Sequence, residues 1–382
     1  MTSVFEGGLV SPEITDVFSS HQWVRAMLRF EAELTRAQAA AGLVPQAAAM
    51  SILGTCKIEL FDTEKLGRER SRSDGLVTPL VKNLKEMVGI FNPEAVQFVH
   101  LGASSQDAHA TVMALVTSDV LHLIRADLVV CVQSLMALAQ KYLDTPMLVR
   151  TLLQPEAVTS VGFKSVSWAA PLVRSLARLD IAGKQALQLH LRGAAEALSP
   201  MHGCGESVIQ AMAAALNLGA AEAPWQPQRD TWVALGCELA VVVGSIGKIA
   251  HDLLQMSQFE IGEVQGLDAL DCTAAVTAAQ CAPQRIATLL ASLSQPSERA
   301  PGAWQVEQAQ WTQLVMSAYG SARSMAQVLT MISVNPGHTQ LHIDAVARQV
   351  GLESSEKWLG AAQVKHAASL AAHQLILWAR EF

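Results

Sequence analysis

Residues 228–263 read QRDTWVALGCELAVVVGSIGKIAHDLLQMSQFEIGE. Within them Leu235, Leu239, Val242, Val243, Ile246, Ile249 and Leu253 recur at steps of three and four, the period of one helix face. No proline falls between Pro227 and Pro283, and proline is costly inside a helix, so a long rod can run here unbroken. A second window repeats the pattern with Val112, Leu115, Val116, Val120, Leu123 and Ile124. The same reading along the chain predicts five long helices, at about 108–143, 156–192, 228–263, 268–293 and 303–331. Strand-like alternation bounded by hairpin turns is nearly absent. A helix of about 30 residues reaches about 45 Å, longer than a small globule needs, and such rods bury their apolar stripes best as a bundle. The fold expected is all-α, with a long central five-helix bundle.

The flanks differ. Residues up to about 100 carry shorter helical runs (20–42, 46–57, 78–90) around the charged stretch Glu64 to Arg72, and residues from about 337 give short closing helices. With about 150 residues per domain, 382 residues make two or three domains. The limits expected are 1–100 for an N-terminal helical domain, 101–335 for the bundle and 336–382 for a short C-terminal helical domain.

Composition narrows the function. The chain is 51% hydrophobic but only 16% charged, too apolar for disorder and poorly supplied with groups to cover an isolated surface, so a homo-oligomer is expected. A formal charge of −7 without Lys/Arg runs argues against nucleic acid as a partner. The N-terminus lacks a basic segment followed by an apolar one, and the most apolar stretch, Leu239 to Ile246, is short for a bilayer span. No membrane association is expected. Six scattered cysteines without CxxC pairing suit a reducing cytoplasm, and neither a metal cluster nor a disulfide framework is expected.

Four segments depart from plain amphipathic helix, and each stands at a helix boundary. His100-Leu-Gly-Ala-Ser104-Ser105-Gln106-Asp107 is a glycine-and-hydroxyl turn running into a long helix. Its small polar residues can simply cap the helix, or its N–H groups can hold an anion. Arg150-Thr151-Leu-Leu-Gln154 offers a bidentate carboxylate clamp beside neutral donors, although a loop arginine is commonly just solvated. Trp225 and Arg229 converge on the start of the helix at 228, and Glu298-Arg299 opens another helix before Trp304. Three arginines with hydroxyl and amide groups at helix ends suit a small polycarboxylate.

The order and wording of these segments resemble the aspartase/fumarase superfamily and, within it, the 3-carboxy-cis,cis-muconate cycloisomerases. The resemblance rests on Phe30-Glu31-Ala32-Glu33-Leu34, the 100–107 turn, Arg150-Thr151 with Leu153-Gln154, and Gly193-Ala194-Ala195. It continues with Pro224-Trp225, Gln228-Arg229-Asp230, Ala282-Pro283, Glu298-Arg299 and Trp304. It implies a three-domain α-helical subunit in a homotetramer, with active sites built from loops of three subunits. It also implies carboxylates held by the Ser-Gln-Asp turn, the Arg-Thr segment and the Trp-x-x-x-Arg segment, a carbanion stabilised as an aci-carboxylate, and no metal or organic cofactor. The implied reaction adds one substrate carboxylate across a conjugated double bond to close a lactone.

Two departures stand out. The family's flexible Gly-Ser-Ser-x-x-Met-Pro-x-Lys-x-Asn-Pro loop is missing after Glu260-Ile-Gly-Glu-Val264, where Gln265-Gly266-Leu267-Asp268 leads directly into the next helix. Histidines expected near Thr151 and Trp225 are replaced by Leu152 and Gln226. Either the usual acid/base machinery is lost, or the natural protein carries a mobile loop that this sequence lacks; the continuous numbering and the missing histidines favour loss. The substrate-binding residues expected are Ser105, Gln106, Arg150, Gln154, Arg229 and Arg299, with Ser104 and Thr151 at the reacting centre. His109, one turn into the helix, is the candidate acid, against the plain alternative of a solvated or capping histidine. His202, in a glycine-rich turn, reads more simply as a surface loop. Three readings follow: a cycloisomerase or lyase with a reorganised site, a non-catalytic homologue that keeps the tetrameric scaffold, or another superfamily lyase acting on a succinyl or fumaryl substrate.

Overall fold

In the computed structural model, which describes residues 16–69, 75–193, 201, 203–221, 228–295, 302–350 and 360–382, the five long helices form. They are α5 (Ser105–Lys141), α6 (Val161–Ala186), α8 (Asp230–Met256), α9 (Ala269–Ala291) and α10 (Ala303–Met331). The apolar positions of α8, from Trp232 through Leu235, Leu239, Val242, Val243, Ile246 and Ile249 to Leu253, are buried against α6, α9 and α10. At Gly247 the two helices touch so closely that a Cβ would collide with the Ala279 methyl. Polar caps start the rods: Ser104 for α5, Ser160 for α6 and Asp268 for α9 each accept a first-turn N–H. Pro171 and Pro283 lie inside α6 and α9 and are tolerated there. By length and composition α5 and α8 are long and apolar enough to cross a membrane, a test that core helices of soluble proteins also meet, and α8 is packed within the bundle.

Among the described residues, three small two-stranded sheets correct the expectation that strands are nearly absent. β1 (Pro146–Thr151) and β2 (Gln154–Ser160) form an antiparallel hairpin, so residues 156–160 are strand rather than the start of α6. β3 (Gln188–Leu189) pairs in parallel with β4 (Gly219–Ala220), and β5 (Val264–Gln265) pairs antiparallel with β6 (Ser333–Val334). The last pairing pins the short link before α9. Gly266 adopts φ +75, and a Cβ there would lie 2.7 Å from the Met331 carbonyl oxygen, so glycine is required.

The N-terminal part contributes α1 (Ser20–Ala40), α2 (Gln46–Thr55), α3 (Thr63–Arg68, within the charged stretch) and α4 (Val77–Phe91). Its main core joins Met27, Phe30, Leu34 and Leu80 to the first turns of α5 and to Ile209 and Met212 of α7 (Gly205–Leu216). At the other end, α11 (Pro336–Val350) and α12 (Ala361–Trp378) pack on the hairpin, and α12 also lies on the bundle.

Candidate active site

The turn before α5 is built by its own sequence. Ser104 Oγ accepts the Asp107 N–H while the Asp107 carboxylate accepts the Ser104 N–H, a reciprocal cap. The same carboxylate, fully buried, also takes the N–H groups of Arg192 (3.0 Å) and Gly193 (2.9 Å) and contacts His190 Nδ1 at 2.6 Å. Burial pushes this carboxyl up, but its partners, His190 foremost, hold it below the usual carboxylate range. Asp107 therefore staples residues 190–193 to the head of α5.

His100 enters the turn at φ +61, and the Gln38 amide fixes the turn to α1 by donating to the Leu101 carbonyl at 2.7 Å. His100 Nδ1 lies 2.6 Å from the buried Glu31 carboxylate on α1. Burial pushes the imidazole down, yet Glu31 wins and raises it above the ordinary histidine range, with Asp107 adding to the rise and Lys85 opposing it. Ser105 and His100 line a cavity of about 480 Å³ together with Thr78, Lys82, Lys85 and Glu86 of α4, and Lys82 is paired with Glu86 at 3.9 Å. The first-turn N–H groups and the macrodipole of a 37-residue helix add positive potential at this end. Lys85 and the helix terminus are the positive groups this basin offers an anion.

The other expected residues divide into two places. His109 is buried between Trp23 and Trp304, each ring centroid 5.1 Å away, and shares a small cavity with Arg229. Arg229 is itself buried and gives Nε and Nη2 to the two oxygens of Glu307, at 2.8 and 2.6 Å. Gln106 is buried in the first turn of α5. Arg150, Thr151 and Gln154 stand instead on the hairpin beyond the C-terminal end of α5. At 1.5 Å per residue, the 37 residues of α5 separate Ser105 from that end by about 55 Å. One chain cannot bring the two groups to one ligand.

Arg150 is also not an open clamp: its guanidinium is bidentate on Glu263, which is fully buried and bonded to His342 at 2.8 Å as well. The expected cationic clamps at Arg150 and Arg229 are corrected on this point, because each guanidinium is paired with a carboxylate of its own chain. Thr151 donates to Glu156 at 3.0 Å, and Gln154 is exposed. Leu152 and Leu153 at the tip hold φ +49 and +64 and are 96% and 73% exposed. Left-handed backbone is costly for leucine, so this exposed tip is also strained. Beside the hairpin, Arg150, Leu153, Phe163, Lys164 and Met256 line a second cavity of about 510 Å³. Arg299, His202, Trp225 and Gln226 lie outside the described residues.

The sequence reading missed the role of Glu31, Lys82, Lys85 and His100. Glu31 and His100 lay inside quoted motifs, and the two lysines are three apart on one helix, but only the tertiary fold brings the four together.

A family model described as lyase matches residues 10–271. Over 356 residues the chain is 32% identical to a 3-carboxy-cis,cis-muconate cycloisomerase of Pseudomonas putida, covering 89% of this chain and 84% of the relative. It is 30% identical to a nitrosuccinate lyase of Streptomyces davaonensis, with 98% and 85% covered. The crystal structure of the 3-carboxy-cis,cis-muconate lactonizing enzyme from Pseudomonas putida superposes with a TM-score of 0.87 at 30% identity, covering 100% of this chain and 88% of that one.

Proposed function

This chain belongs to the lyase family of the fumarase/aspartase superfamily and is a cycloisomerase- or lyase-type enzyme, and from that premise we propose that it lactonises a muconate-type polycarboxylate in aromatic catabolism. The observation that carries the reading is the cavity at the head of α5, where Ser105 and His100 share a lining with Lys85 and with Lys82, itself paired to Glu86. Two carboxylates of the ligand sit against the first-turn N–H groups, Ser105 and the lysines. A third adds to the conjugated double bond, and the negative charge that develops at the neighbouring carbon spreads into its own carboxylate, where fixed donors stabilise it.

The roughly 55 Å between the head of α5 and the Arg150 hairpin supports a site completed by further copies of the chain, and a homotetramer is the assembly proposed. Exposed Leu152, Leu153, Phe259 and Leu270 supply apolar surface for those contacts. In the completed site Thr151 and Gln154 of one copy reach the substrate held by another. A cytoplasmic location accompanies this reading, since six free thiols suit a reducing compartment.

The test is loss of ultraviolet absorbance when 3-carboxymuconate is mixed with the enzyme, run beside a Lys82→Ala/Lys85→Ala variant. Turnover by the wild type and a raised KM in the variant support the proposal; no turnover at high enzyme concentration refutes it. The similarity to a nitrosuccinate lyase favours one second reading, elimination from a substituted succinate. Turnover of nitrosuccinate without turnover of carboxymuconate would select it.

A further inference from the structure

The missing loop and the absent histidines leave the proposed reaction without its proton donor, and among the described residues three buried or half-buried histidines, His100, His109 and His190, stand near the head of α5. His190 is 1% exposed and held against Asp107, and His109 is wedged between two tryptophan rings. His100 differs from both. It lines the cavity at the head of α5 together with Ser105 and Lys85. Its Nδ1 is committed to a carboxylate that is 2% exposed, which leaves Nε2 as the nitrogen able to act on a guest. Its backbone sits at φ +61, a sparsely populated conformation held by the Gln38 bond on the next carbonyl.

We propose that His100 is the catalytic proton donor of this enzyme and that Glu31 is its positioning residue. The inference rests on the functional reading above. In the lactonising direction a substrate carboxylate oxygen forms the new C–O bond at the carbon β to a second carboxylate. The electron pair of the double bond moves to the α carbon and into that second carboxylate. The imidazolium Nε2–H then gives its proton to the α carbon, the C–H bond forms, and His100 is left neutral. Water reprotonates it, so each lactone closed takes one proton from the medium. In reverse, neutral His100 removes the α proton and the C–O bond breaks.

Glu31 sets the ring's orientation and favours its protonated form. Glu31 from α1, Asp107 from α5 and Lys85 from α4 act on the ring's charge, and the paired Lys82 and Glu86 of α4 line the same cavity. The two carboxylates favour the imidazolium and the lysine opposes it. Glu31 is the one in contact.

The experiment measures kcat and KM for carboxymuconate across pH in the wild type, His100→Asn and Glu31→Gln. Asparagine accepts the left-handed backbone, and far-ultraviolet circular dichroism checks that each variant folds. Expected is a loss of about 10²- to 10⁴-fold in kcat for His100→Asn with KM within a few-fold. In Glu31→Gln the alkaline fall in rate should move to lower pH, toward the ordinary histidine pKa near ~6.5. A folded His100→Asn enzyme that keeps kcat within tenfold, or a Glu31→Gln profile superimposed on the wild type, overturns this inference while leaving the functional reading intact. A wild type inert toward carboxymuconate overturns the functional reading and this inference with it.

Discussion

Arg150 Nη1 and Nη2 reach the two oxygens of Glu263 at 3.0 and 2.6 Å, across 113 residues of sequence, with Glu263 wholly buried. This pair ties the hairpin to the link where the family's flexible loop is missing. Truncating one partner of a buried pair strands the other charge, so Arg150→Ala should cost about 3–5 kcal/mol of unfolding free energy. Replacing both partners by apolar residues should cost clearly less. Urea denaturation of the single variant and of an Arg150→Met/Glu263→Leu variant measures the difference.

The link itself makes a second prediction. Gly266 stands at φ +75 against the Met331 carbonyl. Gly266→Ala adds about 1–2 kcal/mol for the left-handed backbone alone, before any clash with that carbonyl. Thermal unfolding should show a lowered Tm. An unchanged Tm would mean that the link is loosely held and that a longer loop could be accommodated without rebuilding it.

Asp107 predicts acid sensitivity. Its carboxyl is held below the usual range in the folded protein, so the stability it contributes is present above the unfolded value, near 3.8, and is lost as pH falls through the lower folded value. Asp107→Asn turns an amide N–H₂ toward backbone N–H donors and should cost about 3 kcal/mol or more at neutral pH. The variant should also lose part of the wild type's acid-range slope in unfolding free energy, measured from pH 2 to 6.

His100 acts in the opposite sense. Its folded pKa is raised above 6.5 by Glu31, so its contribution is complete below the unfolded value and disappears as pH rises through the folded one. Unfolding free energy should therefore decline as pH rises past the unfolded value near 6.5, by an increment that Glu31→Gln removes. Equal slopes in the two proteins would show that the contact does not hold the proton.

Much of the fold was legible because the signal was local. The three-and-four spacing at Leu235, Leu239 and Val242 determines which side of α8 is buried, whatever the rest of the chain does. The hairpin escaped because Ala157 and Val158 continue an apolar pattern that suits a helix as well as a strand, and Pro155 reads as a helix start. The candidate site was half legible. Ser105 and Arg150 could be picked out as unusual residues at helix boundaries, but their partners could not. Glu263 lies 113 residues from Arg150 and Glu307 lies 78 from Arg229, and no local pattern announces either bond. The same holds for Glu31, whose place among the core residues of α1 looks like an error of amphipathicity until His100 is set beside it.

The most direct test mixes two crippled proteins. His100→Asn damages the head of α5, and Thr151→Ala/Gln154→Ala damages only the hairpin. Each alone should be nearly inert toward carboxymuconate, while co-refolded mixtures should recover activity, because some sites then draw an intact head and an intact hairpin from different copies. A mixture no more active than its components, despite mixed oligomers on native mass spectrometry, would contradict the account.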